Sequence, residues 1–227
     1  MRLLILASLF FLGLHFGVAA TPLRDRLIER FGPVPYRIGF AVSALLGLVF
    51  LVYAWRQAPF INLWGSPAVF RYLAVALMPL AFFFIVAGLT TKNPARLGQE
   101  GALTEDFQPI GILRITRNPV LWGIALWALL HLLANGDVSS VIFFATFLVL
   151  AVGGSFDIDR KRLRQFGEHW RRYMEQTSNL PFQAILQGRQ KLVWQEIGWG
   201  RIVLALVLYF GFLHGHARLF GVSPLGL

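Results

Sequence analysis

The chain has 227 residues, 56% of them hydrophobic, 15% aromatic and 14% charged, and a mean hydropathy of +0.62. Soluble domains are roughly half apolar and a quarter charged, so this chain lacks the polar surface to cover itself in water, and lipid must solvate much of it. Disorder is excluded by the same composition. With no cysteine, disulfides, thiolate-held zinc, iron–sulfur clusters, a thiol nucleophile and c-type haem attachment are excluded too.

Six apolar runs without Lys, Arg, Asp or Glu follow along the chain: Leu3–Ala20, Ile38–Trp55, Tyr72–Leu89, Pro119–Ala134, Val138–Phe156 and Ile202–Ala217. Each is long enough, or nearly so, to cross the hydrocarbon core as a helix. Pro79 removes a backbone donor inside the third and predicts a kink there. Asn135-Gly136-Asp137 is a three-residue turn, which makes the fourth and fifth helices an antiparallel hairpin. From Asp157 to Gly200 the chain is polar. Within it Ile158, Leu163, Phe166, Trp170 and Tyr173 recur at helical spacing among arginines, the pattern of an amphipathic helix on an anionic leaflet, although Gly167 interrupts it. The expected fold is a single all-α domain over 1–227, a polytopic membrane bundle of six transmembrane helices with a cytoplasmic amphipathic interfacial helix.

The net charge of +10 takes its meaning from where the cations lie. The segments before, between and after the six runs hold one, four, two, four, none, nine and one Lys or Arg, so seventeen of the 21 fall in alternate segments. The positive-inside rule then places both termini outside the cytoplasm, periplasmic in a bacterial inner membrane. Nucleic-acid binding is a poor reading, because the basic residues are divided among loops beside spans. Met1–Ala20 also has the layout of a signal peptide. Cleavage after Ala20 would invert every later loop against the charge bias, which favours an uncleaved first helix.

Inside the spans the polar candidates are His15, His131, His214 and His216, plus scattered Ser and Thr. Ionisable groups in lipid are costly and default to functional hypotheses, and imidazole is the commonest metal ligand. On a helical wheel His131 shares its side with Ile124, Trp127, Ala128, Ala134 and Asn135, and the bulkier Trp122, Leu126, Leu129 and Leu133 point away. That side is small enough for a flat cofactor or a close helix contact, with Asn135 placed to orient the ring. A histidine merely hydrogen-bonded to a neighbouring helix fits the same pattern. His15 lies opposite the Gly13/Gly17 pair, a Gly-x-x-x-Gly close-packing signal, and differs from His131 in depth by roughly 8 Å at 1.5 Å per residue. His214 reads as an interfacial residue, and His169 has no assigned role. Arg117-Asn118-Pro119 reads as a helix start, with Asn118 as N-cap, Pro119 at the first position and Arg117 at the boundary, or as an Arg set to bind a cofactor carboxylate, propionate or phosphate. No nucleophile with a matching base and no phosphate loop is present, so hydrolase chemistry has no support.

Leu113-Arg114-Ile115-Thr116-Arg117-Asn118-Pro119, Leu121-Trp122-Gly123, His131-Leu132-Leu133-Ala134-Asn135-Gly136-Asp137 and Gly221-Val222-Ser223-Pro224 resemble the NnrU family of bacterial membrane proteins nearly end to end. Ser178-Asn179-Leu180-Pro181-Phe182 and Gly188-Arg189-Gln190-Lys191 are also similar to plant zeta-carotene isomerases, relatives of that family. The resemblance implies a link to nitric oxide and denitrification, and haem b held by histidines, possible isomerase-like activity on an apolar polyene included. Position by position, the ligand pair falls on His15 and His131, and a further family histidine on His216. Asn118 stands where the family usually has His, and Ala128 where the isomerase has a Cys, which removes that enzyme's ligand switch and not haem itself. A broader resemblance is to isoprenylcysteine-type membrane methyltransferases, through Arg117-Asn118-Pro119, Gly123, Asp157 or Asp159, and Phe166-Gly167-Glu168-His169-Trp170-Arg171-Arg172-Tyr173. Three functions therefore stand: a haem b membrane protein with isomerase or redox activity, an S-adenosylmethionine-dependent methyltransferase of an apolar substrate, or a non-enzymatic assembly partner. Anionic lipids at the cytoplasmic face are expected partners.

Overall fold

A computed structural model describes residues 1–104 and 106–226. Helix α1, Arg2–Leu12, continues as a π-helical stretch over Gly13–Ala19. Thr21, whose hydroxyl accepts from the Leu23 amide, then caps α2, Pro22–Phe31. There follow α3, Pro33–Arg56; α4, Ala68–Thr90; the short α5, Ile112–Ile115; α6, Pro119–Asn135; α7, Val138–Phe166; α8, Glu168–Gln176; the short α9 and α10, Gln183–Leu186 and Trp194–Ile197; and α11, Trp199–Phe220. Five of these, the first taken through Ala19, are long and apolar enough to cross a membrane. The seventeen-residue α6 is shorter and equally apolar. All six expected spans are helical, and α4 is continuous through Pro79.

Helix α6 is the middle of the bundle. It packs on α4 and on α7, while α11 lies against α4 and α1 against α3 and α7. The outer helices turn large apolar side chains away from the protein, among them Leu45, Leu46 and Val49 of α3 and Val203, Val207 and Phe210 of α11. Surface of this kind is stable only against lipid. The α4–α6 contact is made close by two glycines: a Cβ on Gly123 would stand 2.9 Å from the Ala81 carbonyl oxygen, and one on Gly88 would stand 2.9 Å from the Val120 amide. Gly13 and Gly17 face open space, so the close-packing role expected of that pair is not the one the structure uses.

The hairpin end forms as expected. Gly136 ends α6 in the left-handed conformation at φ 62°, and the Asp137 carboxylate accepts from the Ser140 amide at 2.9 Å to start α7. Residues 61–65 clamp this turn: the amides of Leu63 and Trp64 donate to the Gly136 carbonyl at 2.9 and 3.1 Å, and the Trp64 indole donates to the Leu133 carbonyl at 3.0 Å.

The opposite end is basic, and the segment expected as one interfacial helix is redistributed there. Helix α7 runs ten residues past the apolar boundary at Phe156, with Asp157, Asp159 and Arg162 buried. Gly167, at φ 53°, breaks it from α8. The apolar side of α8 faces protein, since Trp170 and Tyr173 are buried with Ala95 and meet Leu103, Phe107 and Leu163. Loop segments are tied across this end by the Asn93 side-chain amide donating to the Arg117 carbonyl, 2.9 Å, the Arg117 backbone amide to the Ser178 carbonyl, 3.0 Å, and the Phe182 backbone amide to the Ile115 carbonyl, 2.9 Å.

Candidate functional site

The histidines share one local device. In His15 and His131 the ring Nδ1 meets the backbone carbonyl four residues earlier, Phe11 at 2.8 Å and Trp127 at 2.9 Å; in His216 it meets the Val222 carbonyl at 2.7 Å. A carbonyl only accepts, so Nδ1 carries a proton, and Nε2 is the nitrogen that holds the lone pair in the neutral ring. Each ring is thereby held in the tautomer and orientation of a ligand imidazole. Asn135, expected to orient the His131 ring, donates instead to the His131 backbone carbonyl at 2.7 Å. His214 and His169 are exposed.

The rings sit in an aromatic layer. His131 of α6 stacks on Phe144 of α7, centroids 5.0 Å apart, beside Trp127 at 5.1 Å. His216 of α11 comes to 6.4 Å from His131 with its plane only 21° away. His15 packs on Phe11 and Phe40 at 4.7 and 5.4 Å. Between it and His131 the ring contacts pass through Phe11, Phe147 and Trp127. The structure thus brings together His131 and His216, and it sets His15 on the other side of that layer.

A second constellation lies at the basic end. Arg117 is 5% exposed and grips Asp159 through two bonds, Nε to Oδ1 at 2.8 Å and one terminal nitrogen to Oδ2 at 2.6 Å. The remaining terminal nitrogen reaches the Thr177 hydroxyl at 3.4 Å. The Asn118 side chain, expected to cap α6, makes no cap bond; it donates to the Asn179 amide oxygen at 3.2 Å. The Trp122 indole donates to that same oxygen at 3.3 Å. An indole N–H can only donate, so the Asn179 oxygen is fixed toward it and the amide nitrogen is turned the other way, buried and without a partner among the described residues. Nearby, burial raises the Tyr173 phenol well above its ordinary value, with the Arg117 and Asp159 charges acting in opposite directions. Its hydroxyl also lacks a partner among the described residues. An open cleft of about 630 Å³ adjoins this group, lined by residues of α7, α8 and the 177–183 segment together with Arg117 and Arg189. Neither this cleft nor a smaller one beside it touches a histidine.

The family model described as NnrU protein matches residues 3–224. The chain belongs to the NnrU family. It is also 30% identical over 200 residues to the chloroplastic 15-cis-zeta-carotene isomerases of Zea mays and Arabidopsis thaliana. The match covers 83% of this chain and 52% of each relative, so the chain spans about half the length of the curated relatives it matches. No solved structure matches.

Two features of this NnrU chain escape a reading of its sequence. Phe144 and Phe147 of α7, with Phe143 packed on both, build the layer against Trp127 and His131; their i, i+1, i+4 spacing was the available signal. Asp159 is the partner of Arg117, 42 residues away, and only an Asp on the buried face of an extended α7 would have announced it.

Proposed function

We propose that this protein is a membrane-embedded isomerase-like protein that acts on an apolar polyene and holds haem b at the hairpin end of its bundle. The observation that carries the reading is the His131–His216 pair. Two imidazoles from different helices, each with Nδ1 tied to a carbonyl so that Nε2 is the nitrogen left for a metal, are a donor set that would suit haem iron. Their ring centroids lie 6.4 Å apart. His131 and His216 would hold the iron, with His15, the other residue of the pair implied by resemblance, across the aromatic layer. Bound haem would supply a one-electron centre. Phe144 and Trp127 would keep water from the His131 ring, and the exposed apolar flanks of α3 and α11 would admit a substrate from lipid.

The orientation that goes with this reading has the basic end in the cytoplasm and both termini periplasmic in a bacterial inner membrane, on the strength of the loop charges. The link to nitric oxide and denitrification is carried by the resemblance to the NnrU family. The full-length protein, purified in detergent, is expected to show a Soret band that disappears in the His131→Ala variant, and to convert a cis polyene to its trans isomer. A colourless preparation from haem-replete cells would overturn the cofactor. A coloured one inert toward polyenes would overturn the isomerase and leave a redox role.

A further inference from the structure

The cleft at the basic end has a composition that the reading above does not use. Its charges do not cancel. Arg117 is neutralised by Asp159, but Arg160 is exposed and makes no hydrogen bond or ion pair among the described residues. Arg189 spends its donors on neutral acceptors, the Thr177 carbonyl at 2.7 Å and the Gln187 side chain at 2.6 and 3.0 Å, so its charge stays uncompensated. Between these cations the cleft is walled by Asn179, 5% exposed, whose amide nitrogen has no acceptor among the described residues. A buried amide donor is costly to leave unpaired. The donor and the two cations ask for an anion.

The rest of the lining is apolar and open. Phe156, the last residue of the uncharged apolar run of α7, and Leu180 both line the cleft and are 45% and 42% exposed. Leu186, on the adjoining α9, is 85% exposed. This is the level at which a membrane helix passes from hydrocarbon to headgroup, where arginines meet phosphates while apolar side chains meet acyl chains. A small soluble anion would use the cations and leave Phe156 and Leu180 wet. An amphiphile satisfies both halves.

We propose that the cleft between α7 and the 177–189 segment is a binding site for an anionic phospholipid: Arg160, Arg189 and the Asn179 amide hold the headgroup phosphate, and Phe156 and Leu180 take the start of an acyl chain. The site is independent of haem, and it distinguishes one bound lipid from the diffuse attraction that any basic face exerts on an anionic leaflet. It also gives a role to the two donors, Asn118 and Trp122, on one oxygen of Asn179: they turn the buried amide nitrogen away from themselves and leave it free to donate to a ligand of the cleft.

The test uses the full chain in detergent, with thermal unfolding followed on adding phosphatidylglycerol or phosphatidylcholine, and native mass spectrometry to count retained lipid. Phosphatidylglycerol is expected to raise the unfolding temperature and stay bound one to one, and phosphatidylcholine to do so weakly. Arg160→Gln, which removes a charge that has no partner among the described residues, is expected to leave the lipid-free unfolding unchanged and to weaken retention roughly fivefold, as for loss of one interfacial charge. Asn179→Asp, which keeps an acceptor for Asn118 and Trp122 and places a repelling oxygen where the amide nitrogen was, is expected to lose the bound lipid. Equal effects of both lipids, or retention unchanged in both variants, would overturn the site. Stabilisation by inorganic phosphate or S-adenosylmethionine alone, with the same dependence on Arg160, would overturn the lipid and assign the cleft to a soluble ligand.

Discussion

Arg117 and Asp159 join the start of α6 to the cytoplasm-expected extension of α7 by a two-bonded ion pair, 2.8 and 2.6 Å, with both side chains at most 10% exposed. Cutting one partner from such a pair leaves a buried charge alone, which costs more than the pair contributes. Asp159→Ala is therefore expected to lower stability by about 3–5 kcal/mol. The Arg117→Leu/Asp159→Leu double variant should recover most of that loss. Unfolding curves of the single and double variants check this, and a single variant as stable as the parent would refute the pairing.

The same ion pair marks the limit of what the sequence makes legible. Six apolar runs suffice for the bundle, because hydropathy is a property of each segment alone. The end of α7 is not legible in that way. Asp157, Asp159, Lys161 and Arg162 look like a solvated boundary, yet three ion pairs cover them: Asp157 with Lys161, Asp159 with Arg117, and Arg162 with Glu100. Two of those partners are 42 and 62 residues distant. For the histidines the division falls elsewhere. The carbonyl four residues back that fixes His15 and His131 is local and can be read from any helix, whereas the approach of His216 to His131 depends on how α11 lies on α4.

Glycines illustrate the same division and give a second prediction. Gly13/Gly17 has the spacing of a packing motif and meets nothing, while the isolated Gly123 lets α6 pass the Ala81 carbonyl. A backbone carbonyl cannot move aside as a side chain can. Gly123→Val is expected to cost about 1–3 kcal/mol or more through overpacking, and Gly13→Ala to cost nothing measurable. Detergent unfolding of the two variants, side by side, is the check. Equal tolerance of both would mean that α4 and α6 are not in contact at Gly123.

Acid should open one clasp at the basic end before the bundle unfolds. Glu196 of α10 accepts from Arg114 of α5 at 2.6 and 2.7 Å and from the Gly111 amide at 2.8 Å. The Arg114 guanidinium, outweighing partial burial, holds its carboxyl below the usual glutamate range. A carboxyl depressed in the folded state stabilises above its unfolded value, about 4.3, and loses that contribution as pH falls through the folded value. Proteolysis after Lys191 is accordingly expected to be slow at neutral pH and to speed up only below about pH 4. Glu196→Gln should show the fast cleavage at neutral pH. Cleavage at one rate across that range in the parent would remove the clasp from the account.

Spectroscopy can decide which histidines serve the proposed haem. With His131 and His216 holding the iron, His216→Ala removes one ligand and leaves the other, so the Soret band should shift without vanishing. Loss of His131, the more enclosed ring against Phe144, should abolish haem retention. His15→Ala acts on the far side of Phe11 and Phe147 and is expected to leave the spectrum unchanged. The opposite outcome, with His15→Ala bleaching the protein and His216→Ala silent, would require α1 to bring its histidine through the aromatic layer and would return the ligand pair to His15 and His131.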